Sequence, residues 1–174
     1  DALPIYSDVV VEGVIESAEW SSSGKVMNAK FKDSDLRAAA FISATGSACT
    51  IAAGAYLPPR HPALKIVATE ALQCPTLLMN GFGDHRIEGI GDKHIPWVHN
   101  VRNTDAVAAI DDEDCIRILR LFNEPAGRKH LASLGVARAA ADALPLLGIS
   151  SICNLLAAIK TARFDRRFAM VLST

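Results

Sequence analysis

Three short segments of this chain gather residue types that hold charged or flat ligands. The first is Gly46-Ser47-Ala48-Cys49-Thr50-Ile51-Ala52-Ala53-Gly54. Its small residues let a phosphate approach the backbone, and Ser47 and Thr50 add hydroxyl donors. If this segment leaves a strand and enters a helix, its N–H groups converge. The helix dipole then adds positive potential, which makes a phosphate-binding arrangement. An ordinary small-residue strand-to-helix turn explains the same residues, because the P-loop and dinucleotide fingerprints are both absent. The second segment is GDHRIEGIGDKHIP, residues 83–96. Gly89-Ile90-Gly91 lets backbone pass close to a flat ligand. Asp84, His85, Arg86, Glu88, Asp92, Lys93 and His94 crowd the same stretch, as in an active-site loop or a solvated charged one. No helix fixes the spacing of His85 and His94, so no metal site is expected. The third segment is LLGISS, residues 146–151, where Ser150 or Ser151 can cap a following helix.

The elements that must position these segments alternate in type. Residues 38–43 form a short apolar run that suits a buried parallel strand. A turn at 45–48 and a helix over 49–57 follow, the latter ended by Pro58-Pro59. Residues 64–69 read as the next strand, which completes a βαβ unit. Residues 71–103, rich in Pro, Gly, His and Asn, read as one long functional loop. Residues 105–110 are a third strand, after which Asp111 caps a helix carrying Ile116, Leu119 and Phe122. Residues 123–127 break that helix, and residues 128–143 form one or two more. Ile152, Leu155, Leu156 and Ile159 make one apolar face of a helix opened by Ser151. Residues 170–172 are a last strand. The fold class is α/β, a mostly parallel sheet with flanking helices. Residues 1–37 are the least readable part. Residues 9–14 suit a strand or a helix start, 20–24 are loop-like, and 25–37 are polar and mixed. Residues 38–174 are read as one domain. The chain begins with Asp1 and ends in strand-like text, so truncation at both ends is expected.

Bulk properties exclude several classes. The formal net charge of -1 gives no general attraction to nucleic acid or anionic membrane. The longest apolar region, 144–159, is interrupted by Pro145, Gly148, Ser150, Ser151 and Asn154, too polar to span a bilayer. Cys49, Cys74, Cys115 and Cys153 form no CxxC pair. Scattered thiols of this kind suit a reducing cytoplasm better than a zinc site or a disulfide scaffold.

Taken in order, the segments resemble the pyridoxal-phosphate enzymes of the cysteine synthase and cystathionine β-synthase family, over roughly residues 38–172. Gly46-Ser47-Ala48-Cys49-Thr50 is similar to the family's GTGGT phosphate loop. KIVATE at 65–70 resembles its strand ending in glutamate. Residues 83–96 resemble its GPHKIQGIGAGFIP segment, AIDDED at 109–114 its next strand and helix start, and Gly148-Ile149-Ser150-Ser151 its GISSG segment. The resemblance implies part of a fold-type II enzyme that uses pyridoxal 5'-phosphate for β-elimination or β-replacement in amino-acid sulfur metabolism. It implies a small amino-acid substrate and a homodimer in the full-length form. Gly46, Ser47, Ala48, Cys49 and Thr50 would bind the phosphate. Gly89, Ile90 and Gly91 would lie near the substrate, and Ser150 would face the pyridine nitrogen. A neutral hydroxyl there leaves that nitrogen largely unprotonated, which suits elimination and replacement chemistry.

Two departures from the pattern carry expectations. Ala48 and Cys49 stand where the family has glycine, and a Cβ at either place crowds the phosphate or opposes positive φ. The family's Schiff-base lysine is not recognisable. Lys30-Phe31-Lys32-Asp33 resembles its motif, yet Lys32 precedes Gly46 by only 14 residues where the family places most of a domain. A solvated charged run is the reading for Lys32. The chain alone is therefore expected to be inactive. The alternative is a non-catalytic descendant that binds a phosphate ligand or a partner protein.

Overall fold

The computed structural model describes residues 15–20, 26–31, 39–59, 61–164 and 171–173. Its main sheet has four strands: β3 (Ala40–Ala44), β4 (Lys65–Ala71), β5 (Ala106–Ile110) and β6 (Val171–Ser173). Their order is β5-β4-β3-β6, and every neighbouring pair is parallel. In β3 through β5 nearly every residue is buried, as parallel strands covered on both faces require.

Strand alternation sorts the core into two layers. Phe41, Ile66 and Ala68 point to one face and pack with Ile51 and Leu64. That face carries α1 (Cys49–Gly54). Ala40, Ile42, Val67, Ala71, Ala108 and Ile110 point to the other face and pack with Cys115, Phe122, Leu131, Ile152, Cys153 and Ala157. Those partners come from α2 (Asp112–Asn123), α3 (Pro125–Ser133) and α5 (Ile149–Phe164), with the short α4 (Arg138–Ala143) between the last two. Lys160 of α5 donates from Nζ to the Ala109 carbonyl at 2.9 Å, tying helix to sheet. Among the described residues, no helix is long and apolar enough to cross a membrane.

Several elements differ from expectation. The helix expected over 49–57 ends at Gly54. A Cβ on Gly54 would stand 2.7 Å from the Phe41 ring, so glycine lets α1 lie close on β3. The helix expected to open at Ser151 begins at Ile149 instead, and the Gly148 carbonyl accepts from Ile152 N at 3.0 Å. Ser150 and Ser151 thus stand in its first turn and do not cap it. Pro125 opens α3 with only Glu124 between it and the end of α2, because proline at a first helical position forgoes no intrahelical bond. Expectation held for Asp111, whose Oδ1 accepts from Glu113 N at 2.7 Å and caps α2.

An antiparallel pair, β1 (Ile15–Trp20) and β2 (Val26–Phe31), lies in the stretch that resisted reading. Trp20 is strand there, not loop. The element expected over 9–14 and Lys32 both lie outside the described residues.

Candidate cofactor-loop site

Residues 45–50 leave β3 at the C-terminal edge of the sheet, where open α/β sheets bind their ligands. Thr45 is fixed from two sides. Its N–H and its Oγ1 both donate to the Thr69 carbonyl, at 2.8 and 3.2 Å. The first helical bond of α1 runs from Ala52 N to the Ala48 carbonyl, at 2.9 Å. The N–H groups before it have no intrahelical acceptor. Ser47, Cys49 and Thr50 are exposed on this turn.

The expected crowding resolves to one residue. Ala48 holds φ 62, ψ 8, the left-handed region in which a Cβ is strained. Cys49 is already helical and its thiol is exposed, with Ser47 Oγ donating to Sγ at 3.6 Å. The alanine, and not the cysteine, stands where glycine would relax the loop.

The 83–96 segment meets this turn directly. Gly91 N donates to the Thr45 carbonyl at 2.7 Å. A Cβ on Gly46 would lie 3.2 Å from the Gly89 carbonyl oxygen and 3.4 Å from Ile90 Cα. Gly46, Gly89, Ile90 and Gly91 are therefore one contact region, joined across more than forty residues of chain. The gap left where Thr45, Gly46, Glu70, Gly91, Asp92 and Ile95 converge is only about 10 Å³. It holds about one water, while Ser47 and Thr50 stand exposed on the outer side of the turn.

The segment is held by its own anchors. Ile87 and Ile90 are buried in the core on the α2–α5 side of the sheet. Gly89 and Gly91 take φ of +83 and +82, which glycine alone adopts without strain. A Cβ on Gly91 would overlap His85 Nε2. Glu70, at the end of β4, accepts from Leu77 N and Leu78 N, both at 2.9 Å, and shapes the preceding turn. Asp112 ties three pieces together: Oδ2 accepts from Arg86 N, and its own N–H donates to Gln73 Oε1 at 3.1 Å. The sequence pattern singled out the glycines but gave no cue that Asp112 would anchor this loop.

Ser150 reaches the same edge by another route. Near the starts of α5 and α2, Cys153 lies beside Cys115, and that neighbour together with burial pushes the Cys153 thiol up. Because α2 starts where β5 ends, the start of α5 is also at the C-terminal edge. Ser150 is half-buried there, on the α2–α5 face of the sheet, while α1 lies on the other. On the same side of the molecule, burial holds the His99 imidazole below its ordinary pKa, and its Nε2 pairs with Thr104 Oγ1 at 2.9 Å.

Among the described residues from 39 to 163, each lysine is engaged elsewhere or lies on the outer surface. Lys65 pairs with Asp105 at 2.8 Å, Lys93 lies over the Phe82 ring, Lys160 bonds Ala109, and Lys129 is exposed on α3. The turn at residues 45–50 thus fits the phosphate end of a pyridoxal-phosphate site, and none of these four lysines is placed to serve it.

Comparison with known proteins finds relatives that cover most of this chain. No family profile matches the chain. Cysteine synthase B of Campylobacter jejuni is 30% identical over 145 residues, which are 82% of this chain and 42% of that protein. The chain thus spans about two-fifths of the length of this curated relative. A hydrogen sulfide-producing enzyme from Fusobacterium nucleatum matches with TM-score 0.60 and 26% identity, over 79% of this chain and 36% of the other. An O-acetylserine dependent cystathionine β-synthase from Helicobacter pylori matches with TM-score 0.58 and 29% identity, over 78% and 39%.

Proposed function

We propose, for a chain that resembles the pyridoxal-phosphate enzymes of the cysteine synthase and cystathionine β-synthase family over part of their length, that it carries the phosphate-loop and substrate-loop portion of such a site. The observation that carries this reading is the contact between Gly46 and the Gly89–Gly91 backbone, closed by the Gly91 N–H on Thr45. Bound there, pyridoxal phosphate would supply the electron sink for β-elimination and β-replacement on a small amino acid. Ser47 and Thr50 would donate hydroxyl hydrogen bonds to its phosphate, with the free N–H groups at the start of α1. Gly89 to Gly91 would present bare backbone to the substrate. Ser150 would offer its hydroxyl to the pyridine nitrogen. The whole enzyme would act as a cytoplasmic homodimer.

The chain by itself would bind the cofactor without turning over substrate, because Lys65, Lys93, Lys129 and Lys160 all lie elsewhere and the family's Schiff-base lysine motif is not recognisable in the sequence. That observation also favours a second reading, a non-catalytic protein that keeps the loop for a phosphate ligand or a partner protein. A titration of the full chain with pyridoxal phosphate, followed by borohydride and peptide mapping, separates the cases. The expected result is saturable binding, about tenfold or more weaker after Thr50→Ala with Ser150→Ala, and no single lysine trapped. Trapping of one lysine would overturn the claim of inactivity. Binding indifferent to both substitutions would sink the cofactor reading. Inorganic phosphate binding as tightly as the cofactor would favour the second.

A further inference from the structure

A second cleft opens on the described surface, lined by other residues than the turn at 45–50. It opens between the turn at residues 84–86 and the start of α2, and has about 340 Å³, within the range of small-ligand sites. Gln73, Asp84, His85, Arg86, Asp111, Asp112 and Glu113 line it. Four carboxylates therefore face one guanidinium, and Glu113 already engages that guanidinium at 3.1 Å. Acidic residues at a helix start are ordinary, since the helix dipole favours them.

What is not ordinary is the floor. Asp112 is only 5% exposed, and its Oδ1 has no hydrogen-bond partner. His85 Nδ1 is likewise buried without one. A buried carboxylate oxygen left unpaired is costly. With His85 protonated on Nε2, both orphans are acceptors. A ligand that satisfies both must bring several N–H donors and positive charge. Among the described residues, no group of three His, Cys, Asp or Glu side chains is arranged to hold a metal ion. An alkylammonium group meets the requirement: three donors, two for the floor and one for a rim carboxylate.

We propose that this cleft binds a small, positively charged primary amine, with Asp112 and His85 receiving the ammonium group and Asp84 and Glu113 at the rim. The proposal is independent of the cofactor reading. The site is joined to the phosphate loop all the same, because Asp112 holds Arg86 N, and His85 packs on Gly91, which bonds Thr45.

The test is calorimetry of the full chain with 1,4-diaminobutane, with amide shifts to place the ligand. One saturable site is expected, with shifts at Gln73, Arg86 and Asp112. Asp112→Asn should weaken it about tenfold or more. Asp142→Asn, an exposed carboxylate on α4, should leave it unchanged, and 1,4-butanediol should not bind. No saturable binding overturns the proposal. So does equal weakening by Asp142→Asn, which would mark general charge attraction, or tighter binding of zwitterionic L-alanine. If Asp112→Asn does not fold, Asp84→Asn decides: severalfold weaker binding supports the site, and unchanged binding overturns it.

Discussion

The two loops that meet at Gly46 are built on opposite plans. Residues 83–96 form a long stretch without regular structure, yet they are pinned by two buried isoleucines, a buried aspartate and two glycines in the left-handed region. Residues 45–50 are short and lie between a strand and a helix, yet their left-handed position is filled by alanine, and the side chains of Ser47, Cys49 and Thr50 face outward. Length is thus a poor guide to rigidity. The long loop is determined by core packing, and the short one by its flanking elements, with some strain retained.

Four measurements sharpen or break this contrast. The largest effect is expected from Ile87→Ala, which empties a fully buried position under the long loop. It should cost about 3 kcal/mol in urea unfolding. A cost near that of an exposed loop residue would show the loop is not core-anchored. Next is Gly91→Ala, at about 2 kcal/mol, from positive φ and overlap with His85. Adding His85→Ala should recover part of that loss, since it removes the overlap and leaves the φ cost.

Ala48→Gly should act in the opposite direction. Relief of the left-handed alanine is worth about 1–2 kcal/mol, against about 0.5–1 kcal/mol of added freedom in the unfolded chain. A net gain of about 0.5 kcal/mol remains, read as a higher urea midpoint. A loss would mean that the short loop carries no strain there. The smallest effect concerns His99. Burial holds its folded pKa below the unfolded value of 6.5, so the unfolded chain takes up protons first. Its contribution is present above pH 6.5 and is lost as the pH falls through the lower, folded value. Urea midpoints across that range should fall less steeply in His99→Gln than in the native chain.

The strands β3, β4 and β5 were legible within about two residues, because buried parallel strands are continuous apolar runs between turn signals. Asp111 was legible as a cap, because a side-chain oxygen two residues before an N–H has one geometry to satisfy. The close fit of residues 83–96 to a known pattern also located the loop that touches Gly46. Other features depend on tertiary contacts that no local pattern encodes. The start of α5 slipped to Ile149 because a glycine carbonyl receives its first bond, where the serines offered the obvious cap. The β1–β2 pair was hidden in polar, mixed text with no clean alternation. The positive φ at Ala48, expected at either Ala48 or Cys49, required knowing which residue precedes the helix and which begins it. Asp112 was one acid among several until the structure showed that it alone is buried with an oxygen unpaired.

The contact between Gly54 and the Phe41 ring gives α1 the mechanics of a short lever. Its far end rests against β3 with no room for a methyl group, and its near end carries the exposed Ser47–Thr50 turn, about 8 Å away for six residues. Any side chain at Gly54 would tilt the whole rod about that fulcrum and swing the turn away from Gly89 and Gly91. The register of the two loops that meet at Gly46 therefore depends on the thinness of one residue that touches neither.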